Sequence, residues 1–574
     1  MGKLIWNKTL AMGKNCTIIV LCIQYSKRIN FRRREISCKR NNQRDHAADA
    51  MNRLPTLSDA VETHARLSPN KLAARDSSRS VTYSLLNQRA QQLAHGLLGT
   101  GLRLGDRVAV LAYNCVEWIE IYVALARAGL VAVPINFRLT GPEVANILDD
   151  ADVKAIIAGA EFCDLLKAQG VLARSPEINC VVLGAAPDHQ WISYEALIDA
   201  HAATKAYDPV EPTRTCALMY TSGTTGKPKG AIRNHLGSYL LALATAVEMQ
   251  FSKRDTGLMV MPMCHANSLY FASTFIHLGA TCVIDDRRSF DPEALLSTLS
   301  RDKVTFTSLV PTHYIMLLAL PEAIKRKYDV SSVCKLMVSS APARRDTKLA
   351  ILDFFKNGQL YELYGSTEAG WVTLLRPDEQ LTKLGSVGRE WAGSGRIRLL
   401  DENRQEVNDG EVGELFSLTP YVFDGYWNND EKTAQAFDQV WCSVGDMARR
   451  DEDGYIWLVD RKSNMIISGG ENVYPSEVEG IIGAHPAVKD VAVIGMPHEK
   501  WGESVHAVVV LHVGEDLTES DLRGWCKEHL AGFKCPSKVT FISDEQMPRT
   551  ATGKILHRAL RTLHVLQDRD LQTA

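Results

Sequence analysis

The sequence predicts an α/β protein with a large N-terminal lobe, whose parallel-rich sheets are covered by helices, and a smaller α+β C-terminal lobe. Three observations predict this fold class. Helix and strand patterns alternate within residues 51–460. Most strand patterns are continuous apolar runs rich in β-branched residues, which are typical of parallel strands covered on both faces. After residue 460 a shorter mixed pattern begins, of the size of an ordinary small domain.

The alternation begins with an amphipathic helix pattern at Leu85–Leu98, followed by a buried strand pattern at Arg107–Asn114. A second helix pattern covers Glu117–Gly129. The strand patterns that complete the large lobe are VKAIIAG, CALMY, GLMVMPM, TCVIDD, VTFTSLV and KLMVSS. We therefore predict one domain at residues 51–460.

The second predicted domain, residues 461–574, starts at the charged segment DRKSN, which has the composition of a hinge. A helix pattern near SEVEGIIGAH precedes the strand patterns VAVIGM and HAVVVLH. Two further helices are predicted, at TESDLRGWCKEHL and after Gly553. The mixed order indicates an α+β lobe.

Composition limits the class of protein. The chain has 574 residues, 45% of them hydrophobic, and a formal net charge of -2, which argues against a general polyanion binder and hence against nucleic acid as a partner. The 13 cysteines contain no C-x-x-C pair, which disfavours a structural zinc site and a disulfide framework. A reducing compartment is indicated, and we expect a cytoplasmic protein.

Residues 1–50 form a basic extension that differs from the rest of the chain. Its apolar run, Cys16–Ile23, is much shorter than the ~20 residues of a membrane-spanning helix. Two interpretations stay open: a targeting or membrane-surface extension, and a non-native stretch ahead of a start at Met51, which we favour. No integral membrane span is predicted, and peripheral membrane contact stays open.

Two strand patterns end in glycine- and hydroxyl-rich turns, the place where open α/β sheets bind ligands. CALMY continues into the loop TSGTTGKPKG, and QLYELY continues into GSTEAG. The first loop has the backbone freedom, hydroxyls and positive charge of a phosphate cradle. It lacks the spacing of a P-loop, and the chain has neither an early G-x-G-x-x-G nor a G-x-S-x-G motif. Taken alone, such a loop is equally consistent with a flexible surface turn.

The segment YTSGTTGKPKG resembles the phosphate-loop signature of the adenylate-forming (AMP-binding) superfamily, in its acyl-CoA synthetase branch. Five further motifs of that family follow in order: YGSTEAG, GYW, VGD, GYIWLVDRKSNMIISGGENVYPSEVE and PRTATGKI. The resemblance implies a large α/β lobe and a small mobile C-terminal lobe. It also implies an enzyme that uses ATP and Mg²⁺ to convert a carboxylic acid to acyl-AMP and pyrophosphate, then transfers the acyl group to coenzyme A.

The resemblance also implies the site residues. Lys554 would reach the α-phosphate and the substrate carboxylate, Glu368 would bind magnesium, and Thr367 would contact the α-phosphate. The hinge would lie at Ser463, where the family usually has Asp or Lys. The residues expected to bind ATP or coenzyme A are Thr221, Ser222, Gly223, Thr224, Thr225, Gly226, Lys227, Lys229, Ser340, Ala341, Pro342, Tyr364, Gly365, Ser366, Asp446, Arg461, Gly469, Gly470, Phe533 and its neighbour Lys534.

The acid is the least defined part of the expected reaction. Family resemblance assigns His265 and Tyr270, in MPMCHANSLY, and Trp371 to the acid pocket. A medium- or long-chain fatty acid is our expectation, while aryl acids, short branched acids and carnitine-like acids stay open. A homodimer also stays open, and no general base for the thiol is assigned.

Three other functions differ from a CoA ligase in what they require. A stand-alone adenylation enzyme would load an acyl or aryl group onto a carrier protein, and coenzyme A dependence separates it from a CoA ligase. A luciferase-like oxidase would emit light with a suitable acid and oxygen. A nucleotide-binding scaffold with decayed catalysis would have lost Lys554, Glu368 or Asp446, and all three are present.

Overall fold

A computed structural model confirms the predicted α/β class. It describes residues 55–170, 179–203, 209–221, 228–339, 343–462, 464–468, 471–498, 501–549 and 555–573. The chain divides into two compact units. The first comprises the chain up to Arg396 together with Ser417–Cys442, and the second comprises Ile397–Phe416 and the chain from Ser443 onward. The domain boundary at residue 461 stays a prediction.

The α-helices agree with the helix patterns of the sequence. None of them, within the described residues, is long and apolar enough to cross a bilayer. In chain order they are α1 Leu57–Leu67, α2 Tyr83–Gly99, α3 Glu117–Ala128, α4 Gly141–Asp150, α5 Cys163–Ala168, α6 Tyr194–Asp199, α7 His235–Glu248, α8 Ala266–Leu278, α9 Pro292–Arg301, α10 Pro311–Leu318, α11 Glu322–Lys325, α12 Arg345–Phe354, α13 Asp430–Ala436, α14 Pro475–Ile482, α15 Glu519–His529 and α16 His557–Thr573.

The strands likewise include every strand pattern named above. In chain order they are β1 Leu72–Arg75, β2 Ser80–Thr82, β3 Arg107–Leu111, β4 Val131–Pro134, β5 Val153–Gly159, β6 Asn179–Leu183, β7 Trp191–Ser193, β8 Thr215–Thr221, β9 Lys229–Asn234, β10 Thr256–Met259, β11 Thr281–Ile284, β12 Phe306–Leu309, β13 Lys335–Ser339, β14 Gln359–Ser366, β15 Gly370–Leu375, β16 Arg389–Glu390, β17 Gly395–Leu400, β18 Val412–Leu418, β19 Phe437–Asp438, β20 Trp441–Cys442, β21 Asp446–Arg450, β22 Ile456–Arg461, β23 Ile466–Ser468, β24 Glu471–Val473, β25 Val488–His498, β26 Gly502–Leu511 and β27 Lys538–Phe541.

The first unit contains two large sheets. In one, the described strands follow the order β16-β15-β14-β13-β12-β10-β11-β1-β2, and the pairs from β14 to β1 are parallel. In the other they follow β7-β6-β5-β3-β4-β8-β9, parallel as far as β8, with β9 antiparallel at the edge. The parallel interior explains why these strands are continuous apolar runs, since helices cover both faces.

Helices α2, α3, α7 and α8 supply much of the largest apolar core of this unit. Helix α3 is buried on nearly every face, and α8 ends at Gly279, whose φ of 69° suits glycine. Phe271 and Phe275 of α8 pack against Phe306 of β12. This packing fixes α8 in place, and α8 carries one wall of the candidate site.

The second unit contains a sheet in the order β24-β23-β26-β25, with β27 parallel to β26. Val478 and Ile482 of α14 and Leu522 of α15 pack on the apolar side chains of this sheet. Strands β21 and β22 are antiparallel and belong to another sheet, in which β21 also pairs with β18. The predicted α+β character of the C-terminal lobe agrees with these elements.

Candidate active site

The base of the glycine-rich loop is a β-hairpin. Strands β8 and β9 are antiparallel, and Thr221 pairs with Lys229 at the point where the two strands enter the loop. The Tyr220 hydroxyl donates to Asp150 over 2.5 Å. The Lys229 ammonium lies 4.2 Å from the centre of the Tyr426 ring, a cation–π distance. The predicted phosphate loop is therefore held at both ends by ordered strands.

The second predicted turn connects β14 to β15. Ser366 pairs with Gly370 across the turn, and the Ala369 N–H donates to the Ser366 hydroxyl. A Cβ at Gly365 would collide with the Gly370 carbonyl, and Gly370 has a φ of 71°. Glycine is therefore required twice in this turn, which places Thr367 and Glu368 at its tip.

The Glu368 carboxylate is buried, with only 6% of the residue exposed. Its oxygen Oε1 accepts hydrogen bonds from the Tyr426 hydroxyl at 2.9 Å and the Thr221 hydroxyl at 3.3 Å. Magnesium bound with phosphates usually needs only one or two protein carboxylates. No group of three or more His, Cys, Asp or Glu residues that could hold a metal occurs in the described parts of the chain. A single oriented carboxylate beside the phosphate loop fits a magnesium ion that is shared with nucleotide phosphates.

Arg233 forms hydrogen bonds with the backbone of the same turn. Its guanidinium donates from one nitrogen to the Thr367 carbonyl at 3.4 Å and the Glu368 carbonyl at 3.1 Å. Tyr270 contacts the Thr367 carbonyl at 3.5 Å through its hydroxyl, and the Phe423 N–H donates to the Glu368 carbonyl at 2.8 Å. The backbone of the turn is thus fixed by two side chains and one backbone N–H, which come from three separate segments.

A small cavity of about 70 Å³ lies behind this turn. Arg233 and Tyr270 form the wall shared with the turn, and Tyr122 and Trp118 of α3 form another wall. The rest of the lining is mostly apolar: Leu57, Ile119, Leu125, Ala126, Cys216, Ala217, Met219, His235, Ser238, Leu241, Met263, Leu269, Ala272, Ser273, Ile276 and His277.

Of the three residues assigned to the acid pocket, Tyr270 lines this cavity, whereas His265 and Trp371 are not part of its lining. Trp371 packs in the core, where its Nε1–H donates to Thr245 at 2.9 Å. His265 precedes α8 and lies 3.5 Å from the Asn136 side-chain amide. Contact of His265 and Trp371 with the acid stays a prediction.

In the second unit, Asp446 and Arg461 are paired with each other. They are register partners on β21 and β22, and their side chains form an ion pair at 2.9 Å. Asp446 is buried, while 40% of the Arg461 side chain is exposed. Binding of a ribose by the Asp446 carboxylate stays a prediction.

Phe533, assigned to coenzyme A, is 43% exposed. The neighbouring Lys534 ammonium pairs with the Glu477 carboxylate, at 2.6 Å and 2.8 Å from its two oxygens. Any contact of Lys534 with coenzyme A would therefore compete with this ion pair.

The remaining nucleotide-site residues within the described chain, Tyr364, Gly365 and Ser366, lie on β14 as it approaches the Glu368 turn. Thirteen further assigned residues lie outside the described residues, so their roles stay predictions. They are Ser222, Gly223, Thr224, Thr225, Gly226, Lys227, Ser340, Ala341, Pro342, Ser463, Gly469, Gly470 and Lys554.

Two residues that contact the Glu368 turn were not assigned from the sequence. Tyr426 belongs to the GYW motif, which carried the resemblance without a role for its tyrosine. Arg233 lies four residues after Lys229, in a strand where a charged residue facing inward breaks the apolar pattern. The charge of Arg233 within this strand was the one sequence feature that could have identified it, because burial of an arginine needs a structural or functional reason.

Four histidines of the first unit are held neutral by burial, and this predicts acid sensitivity. Burial lowers the pKa of His235, His265, His277 and His313 to about 4 in each case. Between pH 6.5 and 4 the unfolded chain therefore binds more protons than the folded chain. We expect the free energy of unfolding to decrease as the pH is lowered from 6.5 to 4, by up to about 1.4 kcal/mol per pH unit for each histidine.

Thermal unfolding followed from pH 7 to pH 4 checks this expectation. Carboxylates also titrate in this range, so the informative quantity is the difference between variants. His277→Gln should flatten the dependence of Tm on pH, whereas His512→Gln, at an exposed position, should leave it unchanged. Equal slopes for His277→Gln and the parent protein would contradict the assignment.

Comparison with known proteins gives consistent matches over most of the chain. The family model described as AMP-binding enzyme matches residues 61–427, and the model described as AMP-binding enzyme C-terminal domain matches residues 477–554. An indoleacetate–CoA ligase of Aromatoleum aromaticum is 33% identical over 515 residues, covering 88% of this chain and 98% of that protein. The long-chain-fatty-acid–CoA ligase FadD13 of Mycobacterium tuberculosis is 34% identical over 517 residues, covering 87% and 97%.

Solved structures agree with these sequence matches. The crystal structure of the anthranilate CoA ligase AuaEII in complex with anthranoyl-AMP superposes with a TM-score of 0.79 at 28% identity, covering 90% of this chain and 99% of that one. ATP-bound MatB from Rhodopseudomonas palustris gives a TM-score of 0.78 at 30% identity, with 88% and 99% covered. The named acids of these relatives differ widely in size and polarity.

Proposed function

The chain belongs to the family of AMP-binding enzymes and is an AMP-forming acid–CoA ligase, and we propose that its acid is a fatty acid at the medium-chain end of the medium- to long-chain range. The enzyme uses ATP, Mg²⁺ and coenzyme A. A carboxylate oxygen of the acid attacks the α-phosphorus of ATP, and pyrophosphate leaves. The thiol sulfur of coenzyme A then attacks the acyl carbon and AMP leaves, so the products are acyl-CoA, AMP and pyrophosphate.

For the first step we propose that the residues around the β14–β15 turn act on the phosphates. The Thr367 hydroxyl would donate to the α-phosphate, and Glu368 would hold the magnesium ion that offsets the phosphate charge. Tyr426 and Thr221 donate to Oε1 of Glu368, so they orient this carboxylate before the substrates bind. Preorganisation of this kind lowers the reorganisation needed at the transition state.

The observation that supports an aliphatic acid is the cavity behind the turn. Its walls are mostly apolar side chains of α3, α7 and α8, and it adjoins Thr367 through Arg233 and Tyr270. Burial of an alkyl chain there would gain roughly 0.8 kcal/mol per methylene. The volume of about 70 Å³ is below the ~300–1,000 Å³ of typical ligand pockets. This size favours a medium chain over a long one.

The test is a panel of acids with ATP, Mg²⁺ and coenzyme A, in which pyrophosphate and thioester are measured together. Straight-chain acids of four to sixteen carbons are compared with aryl, short branched and carnitine-like acids. We expect kcat/KM to be highest for a medium-chain acid. A maximum for any other class would refute the proposed substrate while leaving the ligase activity intact. A carrier protein offered in place of coenzyme A tests the alternative acceptor.

A further inference from the structure

The cavity behind the β14–β15 turn has two polar ends separated by apolar walls. Tyr270 and His277 both lie on α8 and both line the cavity. Seven residues separate them, which corresponds to about 10 Å along a helix. Tyr270 contacts the Thr367 carbonyl and so marks the end near the reacting carboxylate. His277 marks the remote end.

At the remote end of the cavity, His277 has a hydrogen-bond acceptor to which no described group donates. Nδ1 of His277 lies 2.8 Å from the Ser273 carbonyl, and a carbonyl can only accept, so Nδ1 carries the proton. Nε2 of His277 is therefore an acceptor. It is buried and has no hydrogen-bond partner among the described residues.

A second imidazole at the cavity wall has the same feature. His235, the first residue of α7, is 5% exposed, and its Nε2 is also buried without a partner. Burial lowers the pKa of both histidines to about 4, although the nearby Asp59 carboxylate opposes the shift at His235. Both rings are therefore neutral at pH 7. These two rings thus offer uncharged polar groups. The charged group of the lining is Arg233, which lies at the turn and whose Nε and one terminal nitrogen are also buried without a hydrogen-bond partner among the described residues.

Unpaired buried polar atoms are costly, and native proteins contain few of them. A plain alkyl tail in this cavity would leave the His277 acceptor unpaired. A tail that ends in a hydroxyl would donate to it and would keep its methylenes against the apolar walls. Resting on the proposed function, we propose that the acid carries a hydroxyl group on the carbon farthest from its carboxylate, and that His277 Nε2 accepts the hydrogen bond from this hydroxyl.

The test compares matched acids of six, eight and ten carbons, each with and without a terminal hydroxyl. Pyrophosphate release gives kcat/KM for each acid with the parent enzyme. For the chain length that reaches His277, we expect the hydroxylated acid to be preferred by about 10-fold, the value of one buried hydrogen bond that is otherwise left unpaired. Equal kcat/KM values, or a preference for the plain acid at every length, would overturn the proposal.

Variants separate recognition from a general effect on the fold. His277→Phe should abolish the preference for the hydroxyl, so that kcat/KM becomes equal for the hydroxylated and the plain acid of each length. His506→Phe is the matched control, because His506 is also buried but lies on β26 in the second unit. It should keep the preference of the parent enzyme. If His277→Phe does not fold, the comparison of acid pairs with the parent enzyme still decides the proposal.

Failure of this inference is distinguishable from failure of the proposed function. Activity on plain medium-chain acids without a hydroxyl preference would refute the role of His277 alone. Absence of activity on every aliphatic acid, with activity on aryl or carnitine-like acids, would refute the proposed acid class and with it this inference.

Discussion

Lys554→Ala is expected to slow acyl-AMP formation by about 100- to 1,000-fold, the loss typical of removing one electrostatic stabiliser from a transition state. Thioester formation from supplied acyl-AMP should stay near the parent rate, because the resemblance places this lysine at the α-phosphate only in the first half-reaction. Each half-reaction is measured separately, the first as acid-dependent pyrophosphate formation and the second as thioester formed from acyl-AMP and coenzyme A.

Lys527→Ala is the matched control for this experiment, since Lys527 is an exposed lysine of the same unit. It should leave both half-reactions unchanged. Lys554 lies outside the described residues, and the described residues on either side of it make defined contacts. Arg549 and Ile555 form a β-bridge, and His557 pairs with Glu479 at 2.6 Å. An equal loss in both half-reactions for Lys554→Ala would refute its step-specific role.

Glu368→Gln is expected to reduce acyl-AMP formation by at least about 100-fold, because a neutral amide holds poorly the magnesium ion that offsets the charge of the phosphates. The activity that remains should need a higher Mg²⁺ concentration for half-maximal rate. Titration of the rate with Mg²⁺ at fixed ATP measures both effects. An unchanged Mg²⁺ requirement would exclude Glu368 as the metal carboxylate.

Tyr426→Phe is expected to have a smaller effect than Glu368→Gln in the same assay. It removes the 2.9 Å hydrogen bond to Oε1 of Glu368 but keeps the charge of the carboxylate and the aromatic ring. A loss of about 10-fold is expected, the value of one hydrogen bond to a charged group. Glu402→Gln, at an exposed position, is the control for replacing a glutamate and should leave acyl-AMP formation unchanged.

The fold class and the positions of the two glycine-rich turns could be predicted from the sequence because both depend on local patterns. Continuous apolar runs predicted the parallel strands, and the glycine- and hydroxyl-rich segment GSTEAG predicted a turn at the end of a strand. The structure adds that a Cβ at Gly365 would collide with the Gly370 carbonyl. The position of Glu368 at the tip of that turn followed from its place in the motif. These features need only a few neighbouring residues to be specified.

Features that depend on pairing between distant segments could not be predicted in the same way. Tyr426 lies 58 residues after Glu368, and no spacing rule connects a tyrosine hydroxyl to a carboxylate at that distance. The wall formed by Tyr122 and Trp118 was also missed, because α3 is apolar on nearly every face and its pattern does not show which face meets a cavity. The hydrogen bond from the Trp371 indole to Thr245 also joins distant segments, while the contact of Trp371 with the acid stays a prediction.

The residues that orient Glu368 and the residues of α3 that line the cavity lie on different segments of the chain. The groups that orient Glu368 come from β8 and from the segment that contains Tyr426, whereas Tyr122 and Trp118 come from α3, which contributes nothing to the described hydrogen bonds of the Glu368 carboxylate. Under the proposed function, mutations on α3 would change which acid is preferred while leaving in place the groups that orient Glu368 for the activation step.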